Sequence, residues 1–276
     1  VSAYYRFDDE ALEPPQRALW QALSTGTDDP LLRQDAERVA GVLAMRAADQ
    51  NWADSVAGDM ERHYSPGRTW EALALNIPMF TTLGMSGEPF VGSDVGGFIG
   101  RGNGELLVRS YQIGFLAPFC RNHKVIDGYD QEPWRFGEYN EGIIRKYLKL
   151  RYQLLPFLYT VLEEAHRTGV PLFRPLLLNY PDDTNTYNLD DQFMIGDDLL
   201  VAPVVKPDVT RRLVYLPKGV WYDYWTNKKY QGGTTIGMDA PLDTVPMFVR
   251  AGAIIPTGPE IDYVGERPFD PITFNI

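Results

Sequence analysis

The 276-residue chain has one cysteine, three histidines, no run of basic residues and no apolar stretch near the roughly 20 residues of a membrane span. Each shortage excludes something. With Cys120 alone, no intrachain disulfide forms and no cysteine-based metal site can be built. His63, His123 and His166 are scattered without ligand spacing, so neither a metal nor a cofactor is expected. A net charge of −11 argues against nucleic acid as a partner, because nothing is concentrated to neutralise phosphates. No membrane partner is expected either. Val1 to Phe7 lacks the basic-then-apolar layout of a signal peptide, which together with the single cysteine is compatible with a reducing, cytoplasmic setting. A start on Val points to a processed or excised piece.

Catalytic signatures are also scarce. There is no Gly-x-Ser-x-Gly elbow, Met85-Ser86-Gly87 being only part of one. The glycine-rich stretch Gly92 to Gly104 contains neither GxxxxGK[ST] nor GxGxxG, so a phosphate cradle is not supported. What the chain does have is 44% hydrophobic residues, enough for a sizeable core, and 13% aromatics, which serve equally in β-sheet cores and in surfaces that stack on sugars.

Periodicity divides the chain. Residues 1 to about 38 are polar and turn-rich, Arg38 to Ala47 reads as a buried strand, and Asp49 to Pro66 as a loop with acidic and aromatic groups. Thr69 to Leu75 predicts a short helix. Ile77 to Val91 reads as a strand-turn-strand or helix-to-strand passage punctuated by Gly84 and Gly87, and the apolar run is expected to end as a buried strand that delivers Asp94 into the glycine-walled Gly92-Ser93-Asp94-Val95-Gly96-Gly97-Phe98 opening. Glu105 to Ile113 has helical spacing. Ile113 to Phe119 predicts a second strand, ending in Arg121, Asn122 and His123. Tyr139 to Thr168 is the clearest helix, kinked or split at Pro156 and closed by Gly169. From Val170 the pattern shifts to short β-type runs: Phe193–Ile195, Leu199–Val205, Leu213–Leu216, Trp221–Trp225, Met247–Val249 and Ala253–Ile255. An α/β region (1–169) followed by an all-β antiparallel region (170–276) is expected.

Several segments carry a resemblance to a known family: Ala57-Gly58-Asp59 with Trp70-Glu71-Ala72-Leu73, Asp94 to Phe98, Arg121-Asn122-His123, Glu132-Pro133-Trp134, Arg151 to Pro156, Phe173 to Leu176, Gly196 to Pro203, Trp221 to Trp225 and Pro246 to Gly252. Together these resemble glycoside hydrolase family 31, the α-glucosidase and α-xylosidase family, from Ala57 to about Pro256. The resemblance implies the later units of a (β/α)8 TIM-type barrel followed by a proximal β-sandwich, and retaining cleavage of terminal α-linked sugars. It implies that Asp59 is the general acid/base and that Asp94, Phe98, Arg121 and His123 line the sugar pocket. Retaining hydrolysis needs a second carboxyl about 5 Å from the acid. The family's nucleophile sits in an Asp-x-x-Glu-like strand end, and the 276 residues contain no Asp-x-x-Glu; Glu10 in Glu10-Ala11-Leu12-Glu13 is a faint echo. Asn51 and Val56 stand where the family carries Arg and Trp. A full barrel takes about 250 residues, so about 169 residues supply only about five βα units. The barrel is expected to be incomplete. The expectation is a fragment lacking the nucleophile, completed by an N-terminal part of the enzyme, with an α-glucoside as substrate. The rival is a non-catalytic sugar-binding or interaction module.

Overall fold

The computed structural model describes residues 66–126 and 128–275. The predicted strand at Arg38–Ala47 and residues Glu10, Asn51, Val56, Asp59 and His63 lie outside them.

The first described element, α1 (Pro66–Met85), does not stop at Leu75 but runs on to Met85, which is the helix-to-strand alternative for Ile77–Val91 and not the strand-turn-strand one. Its register explains why. Thr69, Leu73, Ile77 and Phe80 recur at three- and four-residue spacing and all are buried. Pro78 removes one backbone donor inside this helix, and the Thr81 hydroxyl bonds back to the carbonyls of Ile77 (3.0 Å) and Pro78 (3.1 Å).

Helix α2 (Gly104–Gly114) starts at Asn103, whose side chain accepts from Leu106 N at 2.8 Å. It absorbs Ile113, and tight turns follow, with Leu116 N bonded to Ile113 O and Ala117 N to Gly114 O. The strand predicted over Ile113–Phe119 is therefore not formed. Every residue from Ile113 to Ala117 is apolar or glycine and buried, so the sequence there carries no polar face to tell a turn from a strand. What remains of the two predicted strands is a short parallel contact. Phe119 N donates to Val91 O (3.1 Å), Asp94 and Arg121 form a parallel bridge, and Val95 N donates to Arg121 O (2.9 Å).

Helix α3 (Glu138–Thr168) is one continuous 31-residue helix through Pro156, ended by Gly169 in the left-handed conformation (φ 77°) with its N–H on Ala165 O. Three Arg151 bonds, to the carbonyls of Phe115 (2.8 Å), Ala117 (2.6 Å) and Pro118 (3.2 Å), fix the turn that leads into Phe119–Arg121.

After Gly169 the chain is antiparallel β-structure: β1 (Phe173–Arg174), a single helical turn α4 (Leu176–Asn179), β2 (Phe193–Ile195), β3 (Leu199–Val201), β4 (Arg211–Leu216), β5 (Val220–Asp223), β6 (Lys229–Gln231), β7 (Thr234–Asp239), β8 (Met247–Arg250), β9 (Ile255–Thr257) and β10 (Thr273–Asn275). Six strands form one sheet in the order β1-β2-β3-β8-β5-β6, while β4 pairs with β7 and β9 with β10. The strands are shorter than the runs predicted at Leu199–Val205 and Trp221–Trp225, and Ala253 lies in a turn before β9. Period-2 alternation sends the two faces of the six-stranded sheet to different cores. Phe193, Ile195, Leu199, Val201 and Met247 join the core built on α1, α2 and α3, whereas Met194, Leu200, Trp221 and Phe248 pack with Val214 and Leu216 of β4. A sheet covered on both faces reads as unbroken apolar triplets, which is what Phe-Met-Ile and Leu-Leu-Val are.

The helical and β-parts are joined by a buried cation. Arg109 on α2 is 1% exposed, and its guanidinium donates to Gln112 Oε1 (3.0 Å) and to the carbonyls of Pro241 (3.2 Å), Val209 (3.1 Å) and Ala240 (2.8 Å). Gln112 donates in turn to Leu242 O at 2.7 Å. On α3, the Tyr147 hydroxyl donates to Asp243 O (3.1 Å) and accepts from Val245 N (2.8 Å). Among the described residues no helix is long and apolar enough to cross a membrane, and no group of three or more His, Cys, Asp or Glu is placed to hold a metal.

Two outcomes follow from this packing. Arg109→Ala leaves Gln112 and three carbonyls, that of Ala240 fully buried, without their donor and should cost on the order of 3 kcal/mol, whereas Arg109→Lys, with fewer and less rigid donors, should lose less. A fall in the urea midpoint at unchanged m checks both. Burial pushes the Tyr224 phenol up to about 12 and the Tyr147 phenol upward as well. Their folded values lie above the unfolded value of about 10, so the stability they contribute is full below about pH 10 and is lost as the pH rises toward about 12. Phenolate absorbance of these two tyrosines should therefore appear together with alkaline unfolding, and Tyr224→Phe should move that unfolding to higher pH.

Candidate functional site

Four of the five residues singled out in the sequence meet at the short parallel contact. Asp94 ends the extended segment after α1, and Arg121 ends the one after the Arg151-held turn. Their side chains form an ion pair, Arg121 Nε to Asp94 Oδ1 at 2.7 Å, with Asp94 19% and Arg121 49% exposed. The Arg121 guanidinium also lies over the Phe119 ring, 4.9 Å from its centroid. Two to four residues further on, Phe98 and His123 stack at 5.4 Å between centroids and 24° between planes. The backbones stay together there too, Val125 N donating to Phe98 O at 3.0 Å. The fifth residue, Asp59, lies outside the described residues.

Glycine makes this approach possible. A Cβ on Gly92 would lie 1.9 Å from Phe119 O, so no other residue lets the two segments come this close. Gly96 and Gly97 have φ of 91° and 90°, which turns the chain back after Asp94 and presents Phe98 to solvent at 36% exposure.

Beside the four residues is a set of polar contacts, of whose members motif reading had named only Asn122. Gln131, buried, donates from Nε2 to His123 O (2.8 Å) and Val95 O (3.4 Å). The Asn122 amide donates to Gln131 O (2.8 Å) and to the Tyr111 hydroxyl (3.3 Å). Lys124 binds Gly128 O (2.9 Å) and Asp130 Oδ1 (2.6 Å), and the Lys124 ammonium, with Arg135 adding to it, holds the Asp130 carboxyl below its ordinary range. The one available signal was position: Gln131 directly precedes Glu132-Pro133-Trp134, where Glu132 stands at the N-cap of a short 3-10 helix at Pro133–Phe136. Cys120 adjoins Arg121, but burial pushes its thiol upward, away from nucleophile chemistry at neutral pH. His166, in the last turn of α3, is exposed and far from this chemistry in sequence and role.

Chemically, the cluster offers a carboxylate, a guanidinium, an imidazole and an aromatic face on one solvent-facing rim. Such a set hydrogen-bonds hydroxyls and covers the apolar face of a ring. A cavity of about 290 Å³ borders the same loop, lined by Asp94, Gly97 and Phe98 together with α1 residues such as Asn76. That is at the small end of the range for small-molecule sites, about 300–1,000 Å³. Arg121 and His123 do not line it, so the rim, and not the cavity alone, holds the chemistry.

Comparison with known proteins gives this arrangement a family. Residues 44–161 match the TIM-barrel domain of glycosyl hydrolases family 31, and residues 169–255 match the glycosyl hydrolase family 31 C-terminal domain. Alpha-glucosidase 2 of Bacillus thermoamyloliquefaciens is 51% identical over 189 residues, which is 68% of this chain and 24% of that protein. Human neutral alpha-glucosidase AB is 44% identical over 207 residues, 74% of this chain and 22% of that protein. Among solved structures, the family 31 dextranase of Flavobacterium johnsoniae complexed with glucose superposes with a TM-score of 0.71 at 42% identity, covering 74% of this chain and 26% of that one. The chain thus spans about a quarter of the length of the relatives it matches. The described part is a segment of the family's barrel followed by its antiparallel β-domain, and the chain belongs to glycoside hydrolase family 31.

Proposed function

We propose that this chain carries the sugar-holding side of a retaining α-glucosidase-like site, in which Asp94, Phe98, Arg121 and His123 grip a terminal α-linked glucose or a close relative and Asp59 is the general acid/base. The observation that carries the reading is the pairing of two unlike contacts, the Asp94–Arg121 ion pair and the Phe98–His123 stack, at the ends of two adjacent parallel segments. That position is where an α/β barrel presents its chemistry. The division at Gly169 separates the barrel segment from the β-domain that supports it.

The second carboxylate is proposed to come from a complementary N-terminal part of the barrel, since no Asp-x-x-Glu occurs in the 276 residues. A second reading, a sugar-binding module without catalysis, draws on the same absence and on Asn51, which lacks the guanidinium that its counterpart offers a sugar.

Calorimetric titration of the 276-residue chain with glucose and isomaltose should show saturable binding, weakened about tenfold or more by His123→Ala. No binding, or binding indifferent to that substitution, would defeat the sugar-site reading. An aryl α-glucoside should be turned over little by the chain alone. Substantial turnover abolished by Asp59→Asn would show that the nucleophile is present after all, and turnover surviving it would remove Asp59 from the role of acid.

A further inference from the structure

We infer that Gln131 is a positioning residue for this site, its side-chain amide locking the loop of Asp94 and Phe98 against the loop of Arg121 and His123. The inference rests on the sugar-site reading for its functional consequence, but its geometry stands apart from it. Gln131 is 9% exposed, and one nitrogen serves both loops: Nε2 donates to His123 O at 2.8 Å and to Val95 O at 3.4 Å. Its backbone carbonyl accepts from Asn122 Nδ2 at 2.8 Å, so the residue before His123 is held as well.

The fit against the first loop is close. A Cβ on Gly96 would stand 2.9 Å from Gln131 Oε1 and 3.2 Å from its carboxamide carbon. Gly96 therefore serves twice, as a left-handed turn and as the floor on which the amide rests.

The blander account is a buried glutamine that merely satisfies its own amide. Two features go further. The carbonyl that Gln131 holds belongs to His123 itself, so losing the bond frees the backbone that aims the imidazole. The other contacts between the loops do not touch His123's own backbone: Val95 N–Arg121 O (2.9 Å) and Val125 N–Phe98 O (3.0 Å) lie two residues to either side, and the Asp94–Arg121 pair is partly exposed, of a kind worth about 0–1 kcal/mol. A buried amide donating to both loops is the contact that water does not compete for. A ligand that bonds the imidazole needs that aim to hold within about 0.5 Å.

The test is read on the imidazole by proton–carbon NMR of the 276-residue chain, with His123 assigned through His123→Ala. In the unaltered chain the His123 ring protons should be displaced by the Phe98 ring current relative to exposed His166, and the Gln131 side-chain amide protons should exchange with solvent more slowly than those of free glutamine. Gln131→Met, similar in volume but without a donor, and Gln131→Glu, isosteric but facing two carbonyls, should both move the His123 signal toward that of His166 and leave His166 where it is. Glucose affinity should fall roughly tenfold in the same variants. An unmoved His123 signal in either folded variant would overturn the inference. So would fast exchange of the Gln131 amide in the unaltered chain, a readout that needs no variant to fold. If the unaltered chain binds no glucose, the sugar-site reading fails, and the His123 signal still decides whether Gln131 positions the loop.

Discussion

A single guanidinium taken out of water sets the relation between the helices and the sheet. Arg109 has no carboxylate in direct contact; its bonds go to Gln112 and to three main-chain carbonyls at 209, 240 and 241. Such a charge is tolerable only if nearly every donor is used, and a carbonyl-lined socket cannot be built from one segment. Residues 209 and 240 are adjacent because β4 and β7 pair in register, Arg211 opposite Asp239. The cation therefore requires the β-domain to be formed, and burial pushing its pKa down is the measure of that demand. Tyr147 adds a second tie of the same kind to Asp243 and Val245, one turn of chain further on.

With the β-domain fixed to α2 and α3, the site loops inherit a rigid base. Arg151, on the same helix as Tyr147, bonds the three carbonyls at 115, 117 and 118, and the segment it holds goes directly into Phe119 and Arg121. The opposite loop is brought up by the Gly92 crossing. Neither the ion pair nor the stack at the rim contributes much stability, since both face solvent. Order at the rim is supplied from below, by Gln131, Asn122 and Arg151, and the rim groups are left available for a ligand.

How much of this was legible depended on whether water leaves a mark on the sequence. Helix α3 has one buried face and one wet one, so its spacing was readable through Pro156, and Gly169 marked its end. The apolar β-runs after Gly169 were also readable because turns bound them, whereas the polar and largely exposed β6, β7 and β10 left no run to read. Helix α1 beyond Leu75 and the stretch from Ile113 were not. In the first, a helix-breaking proline at 78 interrupts the pattern; in the second, burial on all sides erases it. Asp94, Phe98, Arg121 and His123 stood out because glycine and charge at the end of an apolar run are unusual in themselves. Gln131 escaped because a neutral amide has no such signature, and its two acceptors are main-chain carbonyls that no side-chain pattern encodes.

The same physics separates what this chain can do alone from what hydrolysis demands. Holding a sugar requires hydroxyl partners and a flat apolar face, the part proposed for Asp94, Arg121, His123 and Phe98. Cleaving a glycosidic bond requires two carboxyl groups at a fixed separation, one to give a proton and one to meet the developing cation. Asp94 already has its Oδ1 bonded to the Arg121 guanidinium at 2.7 Å, which ties up one of its two carboxylate oxygens. On the proposed reading, binding and bond cleavage fall to different carboxylates, and Asp94 belongs to the first.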